Sequence, residues 1–138
     1  MQTRKQKMLP RGLRNNNPLN IRIGNTWLGE KVHPTDDEFE EFVSLAYGIR
    51  AAFIILRRYI RRYHLNTVRL IVERWAPRTE NETEKYIQFV CKDTEMMPNT
   101  TIQYQDKDTM CKLVGAMAFI ECGQRIDISE IEKGYSLA

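Results

Sequence analysis

The sequence contains no run of about 18 consecutive apolar residues, so no segment is long enough to cross a bilayer as a helix. It has no C-x-x-C pair. Its only histidines, His33 and His64, lie far in sequence from Cys91, Cys111 and Cys122. A zinc site requires clustered Cys and His ligands, so no metal site is expected. Three cysteines cannot all pair within one chain, and they read as buried free thiols of a protein made in a reducing compartment. The N-terminus, MQTRKQKMLPRG, is basic but lacks the apolar segment of a secretory signal. The expectation is a cytoplasmic product that needs another device to leave the cell. Internal repeats and low-complexity tracts are also missing.

What remains is a chain of 138 residues, 42% hydrophobic and 28% charged, which fits one globular domain with a real core. The formal charge of +3 would help it approach an anionic polymer without selecting one. Residues 1–10 read as a flexible basic arm and 11–138 as a single domain. RGLRNNNPLNIR reads as a polar loop. NIRI and TWLGE, between Asn20 and Glu30, read as two short strands joined at Gly24-Asn25, with EFEEFV (Glu38 to Val43) as a third.

From Ala46 the period turns helical, with Ile49, Ala52, Phe53, Leu56, Ile60 and Tyr63 on one face. Thr67 caps a second helix that stops before Pro77, and a third runs from Asn81 or Glu82 to about Lys92. A fourth spans about Asp106 to Cys122 and closes at Gly123, and Ser129 caps a short last one ending near Gly134. Strands followed by helices predict an α+β class with helix dominant.

The helix TMCKLVGAMAFIECG carries one residue out of place. Val114 and Met117 are three apart, Glu121 is four further on, and Met110 and Leu113 share that side. Glu121 therefore falls on the stripe meant for the core. It also sits in the last turn, where unpaired carbonyls make a negative end. Burial and that negative end both disfavour a carboxylate and would raise its pKa. A carboxylic acid held protonated near neutral pH is what donates a proton to the leaving oxygen of a glycosidic bond. A glutamate that bends into water at a helix end satisfies the same spacing, and spacing alone names no sugar.

RGLRNNNPLNIR, W-x-G at Trp27 to Gly29, F-x-x-F at Phe39 to Phe42, YGIRAA, NTVRLIVERWAP, E-N-x-T and Tyr86 together resemble a family of phage and prophage proteins. Its members are described as virion structural proteins or peptidoglycan lytic transglycosylases. The resemblance runs from about Arg11 to the C-terminus, and its most specific parts are the asparagine-rich loop and WAPRTEN. The family usually ends its last long helix in E-N-G, whereas this chain has Glu121-Cys122-Gly123. AMAFIECG also looks like the "ESG" helix end of lysozyme-like transglycosylases and glucosaminidases, whose glutamate is the acid. There the catalytic helix comes first; here it comes last, the order a circular permutation would produce.

The resemblance thus implies a lysozyme-like, circularly permuted α+β domain with a small N-terminal β-sheet region. It would cut the β-1,4 bond between N-acetylmuramic acid and N-acetylglucosamine, as lytic transglycosylase or muramidase, with Glu121 as general acid/base and no metal or cofactor. The implied partner is the peptidoglycan glycan strand, with no nucleic acid and no membrane insertion, and the protein would be a monomer. It would be synthesised in the bacterial cytoplasm without a signal peptide and act on the wall after release or as a virion component. The alternative is a non-catalytic virion structural or cell-wall-binding protein.

Hydrolysis needs a second carboxylate, for which Glu30, Asp36, Asp37, Glu38, Glu40, Glu41 and Glu80 are candidates. A transglycosylase needs one acid/base, because the substrate's own 6-hydroxyl closes on the anomeric carbon. Asn15, Asn16, Asn17 and Asn20 would bind the N-acetyl and hydroxyl groups of the sugar, or else build a turn. Trp27 and Trp75 would stack on pyranose faces or pack in the core. Glu80, Asn81 and Thr83 would either cap a helix or orient substrate. Tyr47 and Tyr86 would steady the leaving sugar. RRYIRRYH, with paired arginines around Tyr59 and Tyr63, admits a rival nucleic-acid reading beside that of a solvated helix face.

Overall fold

The computed structural model describes residues 9–138, so the basic arm expected over 1–10 lies outside the described residues except for Leu9 and Pro10. Six helices follow one another among the described residues: α1 (Arg11–Arg14), α2 (Leu45–Arg62), α3 (Val68–Trp75), α4 (Glu80–Thr94), α5 (Lys107–Cys122) and α6 (Ile128–Leu137).

Local chemistry sets their ends. The Thr67 hydroxyl accepts the Leu70 amide at 3.2 Å to start α3, and Thr79 accepts that of Glu82 at 3.3 Å to start α4. The Asp106 carboxylate accepts the Thr109 amide at 3.2 Å to start α5. Gly123, with φ 78°, closes α5 in the left-handed conformation.

The most extensive helix contact joins α2 to α6. Gly134 makes it possible, because a Cβ there would lie 2.5 Å from Ile49 Cγ2. α5 packs between α4 and α6 and also meets α1 and α2, while α3 docks on α4. Ile49, Leu56, Ile71, Ile87, Leu113 and Met117 are all fully enclosed in the core this creates.

The expected N-terminal β-sheet is not present among the described residues, and the fold is helical rather than α+β. With the sheet goes the expectation of a lysozyme-like α+β arrangement. The three segments read as strands do find each other. The Ile23 amide donates to the Glu38 carbonyl and the Glu40 amide to the Ile21 carbonyl, both at 3.0 Å. On the other side of 38–43, the Lys31 amide donates to Glu41 and the Val43 amide to Gly29, at 2.9 and 2.8 Å.

Each pairing remains an isolated bridge, Arg22 with Phe39 and Glu30 with Phe42. The reason is steric and local. Asn20 (φ 54°) and Gly29 (φ 85°) hold left-handed conformations that end an extended run. RGLR, expected as loop, is a single helical turn instead.

Side chains supply what a ladder would have given. The Asn17 amide nitrogen donates to the carbonyls of Ile21 at 2.9 Å and Glu40 at 3.0 Å, and its oxygen accepts the Ile21 amide at 2.9 Å. Asn16 donates to the Phe42 carbonyl at 2.9 Å. The Arg11 guanidinium grips Asp36 through two contacts of 2.6 and 2.7 Å, and Asn15 adds a third at 2.9 Å. This knot lies directly on α2, since a Cβ on Gly48 would fall 1.8 Å from the Asn16 carbonyl oxygen.

Asn17 is completely buried, so truncating it strands the Ile21 amide and the Glu40 carbonyl away from water. Asn17→Ala is expected to lower the unfolding free energy by about 3 kcal/mol in urea titrations; a loss under about 1 kcal/mol would show that the knot holds without it.

Candidate active site

Glu121 occupies the last turn of α5, and its side chain is only 8% exposed. Three groups from separate parts of the chain converge on it. The Tyr86 hydroxyl, from α4, donates to Oε2 at 3.2 Å. Arg78, from the loop between α3 and α4, reaches the same oxygen at 3.5 Å. The Asn20 amide lies 3.4 Å from Oε1 and donates to Glu121's own carbonyl at 3.0 Å. That last bond satisfies one of the terminal carbonyls that make a helix end negative.

Tyr86 is buried at 2% exposure. Burial first, then the charge and hydrogen bond of Glu121, push its hydroxyl far above the usual phenol range, so it serves only as a neutral donor. Arg78 also lies 5.4 Å from the centre of the Tyr86 ring, tying the two donors together.

Glu121 faces a depression of about 460 Å³ whose walls include Asn20, Arg22, Phe39, Trp75 and Arg78. Among its lining residues Glu121 is the only acid. Asn20, Arg22 and Trp75 also border a second depression, of about 380 Å³, whose walls include Arg58, Tyr59 and Arg74. On its other side, Arg78 is shared with a shallow depression along α4 that includes Glu82 and Tyr86. Glu121 itself is thus set between cationic and aromatic walls.

The expected site residues divide sharply. Asn20, Trp75 and Tyr86 meet at the groove around Glu121. Asn15 and Asn17 are buried, with their amides spent on Asp36 and on the backbone, so their role is the turn. Trp27 is 8% exposed and belongs to the core. Tyr47 is half-buried against Gly29, where a Cβ would come within 2.4 Å of its ring. Glu80 and Asn81 are exposed residues in the first turn of α4, and its cap is Thr79 rather than Glu80, Asn81 or Thr83. Arg22, Phe39 and Arg78 line the groove although the motifs assigned them no role. Arg78 sits inside WAPRTEN and was legible as the one cation in that loop.

Of the candidate second carboxylates, Glu30, Asp36 and Glu41 are engaged elsewhere, and none of the seven lines the depression that Glu121 faces. Burial opposes the Glu41 charge, but the amides of Asp36 and Thr35, the Thr35 hydroxyl and Lys31 outweigh it and hold its carboxyl below the usual range. The Arg11 guanidinium holds Asp36 far below its ordinary value. Glu30 accepts the Trp27 amide at 2.9 Å. Glu40 is 7% exposed, and its Oε2 has no hydrogen-bond partner. Burial, and then the neighbouring Glu30 carboxyl, raise Glu40 to about 7.

All three cysteines are free thiols, with Cys111 and Cys122 buried and Cys91 half-buried. Cys122, where the resembling family has asparagine, is 5% exposed and turns toward α1, with its Cβ 3.5 Å from where a Gly12 Cβ would be. The departure therefore lies on the buried side of the helix end.

No protein-family model matches the chain. A curated relative, Protein P5 of Pseudoalteromonas phage PM2, is 42% identical over 130 residues, which cover 91% of this chain and 79% of the relative.

The raised Glu40 makes folding pH-dependent in a fixed direction. Its contribution is fully present below the unfolded value of 4.5 and is lost as pH rises through about 7. Glu40→Gln keeps the shape and removes the titration. Relative to the parent, it is expected to gain about 2 kcal/mol between about pH 5 and about pH 8 in thermal melts. A constant difference across that window would remove Glu40 as a titrating group.

Proposed function

The chain belongs to the family of Protein P5 of Pseudoalteromonas phage PM2, and from the geometry around Glu121 we propose that it is a phage-type enzyme that cleaves the glycan strands of peptidoglycan, with Glu121 as its general acid and base. The observation that carries this reading is a single carboxyl, 8% exposed, at the wall of a sugar-sized groove beside Trp75 and met by three donors.

The chemistry follows from that arrangement. A pyranose stacked on Trp75 would bring its glycosidic oxygen to Glu121. As general acid, Glu121 passes a proton to that oxygen as the bond to the leaving sugar breaks. The carboxylate left behind is stabilised by the Arg78 charge and the Tyr86 hydroxyl. It then takes the proton of the 6-hydroxyl, whose oxygen closes on the anomeric carbon, so the acid is regenerated and no water is consumed. One carboxyl completes this cycle, and the depression that faces Glu121 offers one. Inverting or retaining hydrolysis would instead place a second carboxylate across the sugar. The lytic transglycosylase route is therefore preferred to the muramidase route.

Glu121→Gln retains the hydrogen-bonding shape and lacks the proton. It is expected to lower turnover of purified peptidoglycan by about 100- to 10,000-fold. Mass spectrometry of the products should show anhydro sugars with no water added. Wall lysis undiminished in Glu121→Gln would end the assignment, and products carrying an added water would replace transglycosylation with hydrolysis.

A further inference from the structure

Resting on the reading that Glu121 faces a glycan strand, we propose that Arg58 and Arg74 form an anion-binding arm of the groove, which takes the carboxylates of the peptide substituents that strand carries. The arm is the depression of about 380 Å³ that shares Asn20, Arg22 and Trp75 with the Glu121 site. Its lining holds three arginines, Arg22, Arg58 and Arg74, and no acid.

Five of the arginines outside α2 are paired with a carboxylate. Arg11, Arg69, Arg78 and Arg125 each lie within 4 Å of one, and even Arg22 reaches Glu38 at 3.7 Å. Among the described residues Arg58 and Arg74, like Arg14, Arg50, Arg57, Arg61 and Arg62, form no ion pair. The eight residues outside the description, MQTRKQKM, contain no acid that could supply one. Arg74 is steadied by the Tyr63 ring, 5.8 Å from its guanidinium carbon. The positive field extends outward, because Arg58 also borders the face of α2 that bears Arg57, Arg61 and Arg62.

An uncharged sugar polymer gains nothing from two unpaired guanidiniums, whereas pendant carboxylates match their forked donors. A nucleic acid fits the arm but not the rest of the groove. Its phosphates recur at every nucleotide and would meet the Glu121 carboxylate. A glycan whose charge sits on side substituents offers hydroxyls at Glu121 and carboxylates at the arm.

Binding to intact sacculi and to sacculi stripped of peptide by an amidase, measured by co-sedimentation in the Glu121→Gln background, tests this. Peptide-bearing wall is expected to bind about tenfold tighter, with the ratio shrinking as salt rises. Arg58→Gln with Arg74→Gln should bring the ratio near one, while lysine at both positions keeps much of it. Equal binding to the two walls, or no binding to either, overturns the arm. A ratio that survives the glutamine pair in protein with an unaltered thermal melt does the same. Tighter binding to single- or double-stranded DNA than to wall, abolished by the same pair, replaces it with a nucleic-acid site. If the ratio and its loss are seen but the parent releases no glycan fragments, the cleavage reading fails and the arm stands. Fragments released with no ratio leave cleavage standing and remove the arm.

Discussion

One buried amide closes the first third of the molecule. Asn17 bonds to the backbone of both Ile21 and Glu40, segments that would otherwise pair as strands. Its neighbours extend the grip, Asn16 to Phe42 and Asn15 to Asp36. Side-chain amides can satisfy backbone groups one at a time, without the translational register of a ladder. That allows a run containing left-handed residues to be held rigidly. The position of Asn20 follows from this constraint, and with it the hydrogen bond to the far end of α5.

The site is built from four places in the chain: the asparagine knot, the end of α3 with its loop, the second turn of α4 and the last turn of α5. Their charges are unequal. Glu121 stands among Arg22, Arg78 and, further along, Arg58 and Arg74, while Asp36 and Glu41 of the N-terminal segment are taken up by Arg11, Lys31 and backbone amides. Asp36 and Glu41 thus hold a loop together, and Glu121 is the one carboxyl lining its depression, with three donors around it. In the proposed mechanism a group so placed would accept and return a proton without having to reorganise its surroundings.

The helices were legible in the sequence because their signals are local. Thr67, Asp106 and Gly123 cap where their chemistry requires, and the 3.6-residue period of α2 appears directly in its buried face. The N-terminal segment misled for an equally physical reason. NIRI, TWLGE and EFEEFV have strand composition and do meet in space, but composition does not reveal that Asn20 and Gly29 turn left-handed and stop each pairing at one bridge. α1 was missed because a single turn of RGLR has no period to read. For the site, the phase of Glu121 on α5 was readable, as was the presence of Tyr86. The division of the asparagines was not. Asn15, Asn17 and Asn20 are the same residue type within six positions, and only the fold shows two turned inward and the third against Glu121.

Cys122 bears on whether the departure from E-N-G weakens the proposed chemistry. Its side chain is buried beside Gly12, its thiol meets the Gln124 carbonyl at 3.4 Å, and burial raises its pKa, so it stays a neutral thiol. Its contacts run to α1 and to the turn after α5, whereas Glu121 turns to Asn20, Arg78 and Tyr86. A polar residue at 122 would have to find partners in that buried seam; a cysteine fills it as a small apolar group. The side chain at 122 lies between α5 and α1 and is not one of the three donors to Glu121. The proposed proton transfers require only those donors and the groove they face.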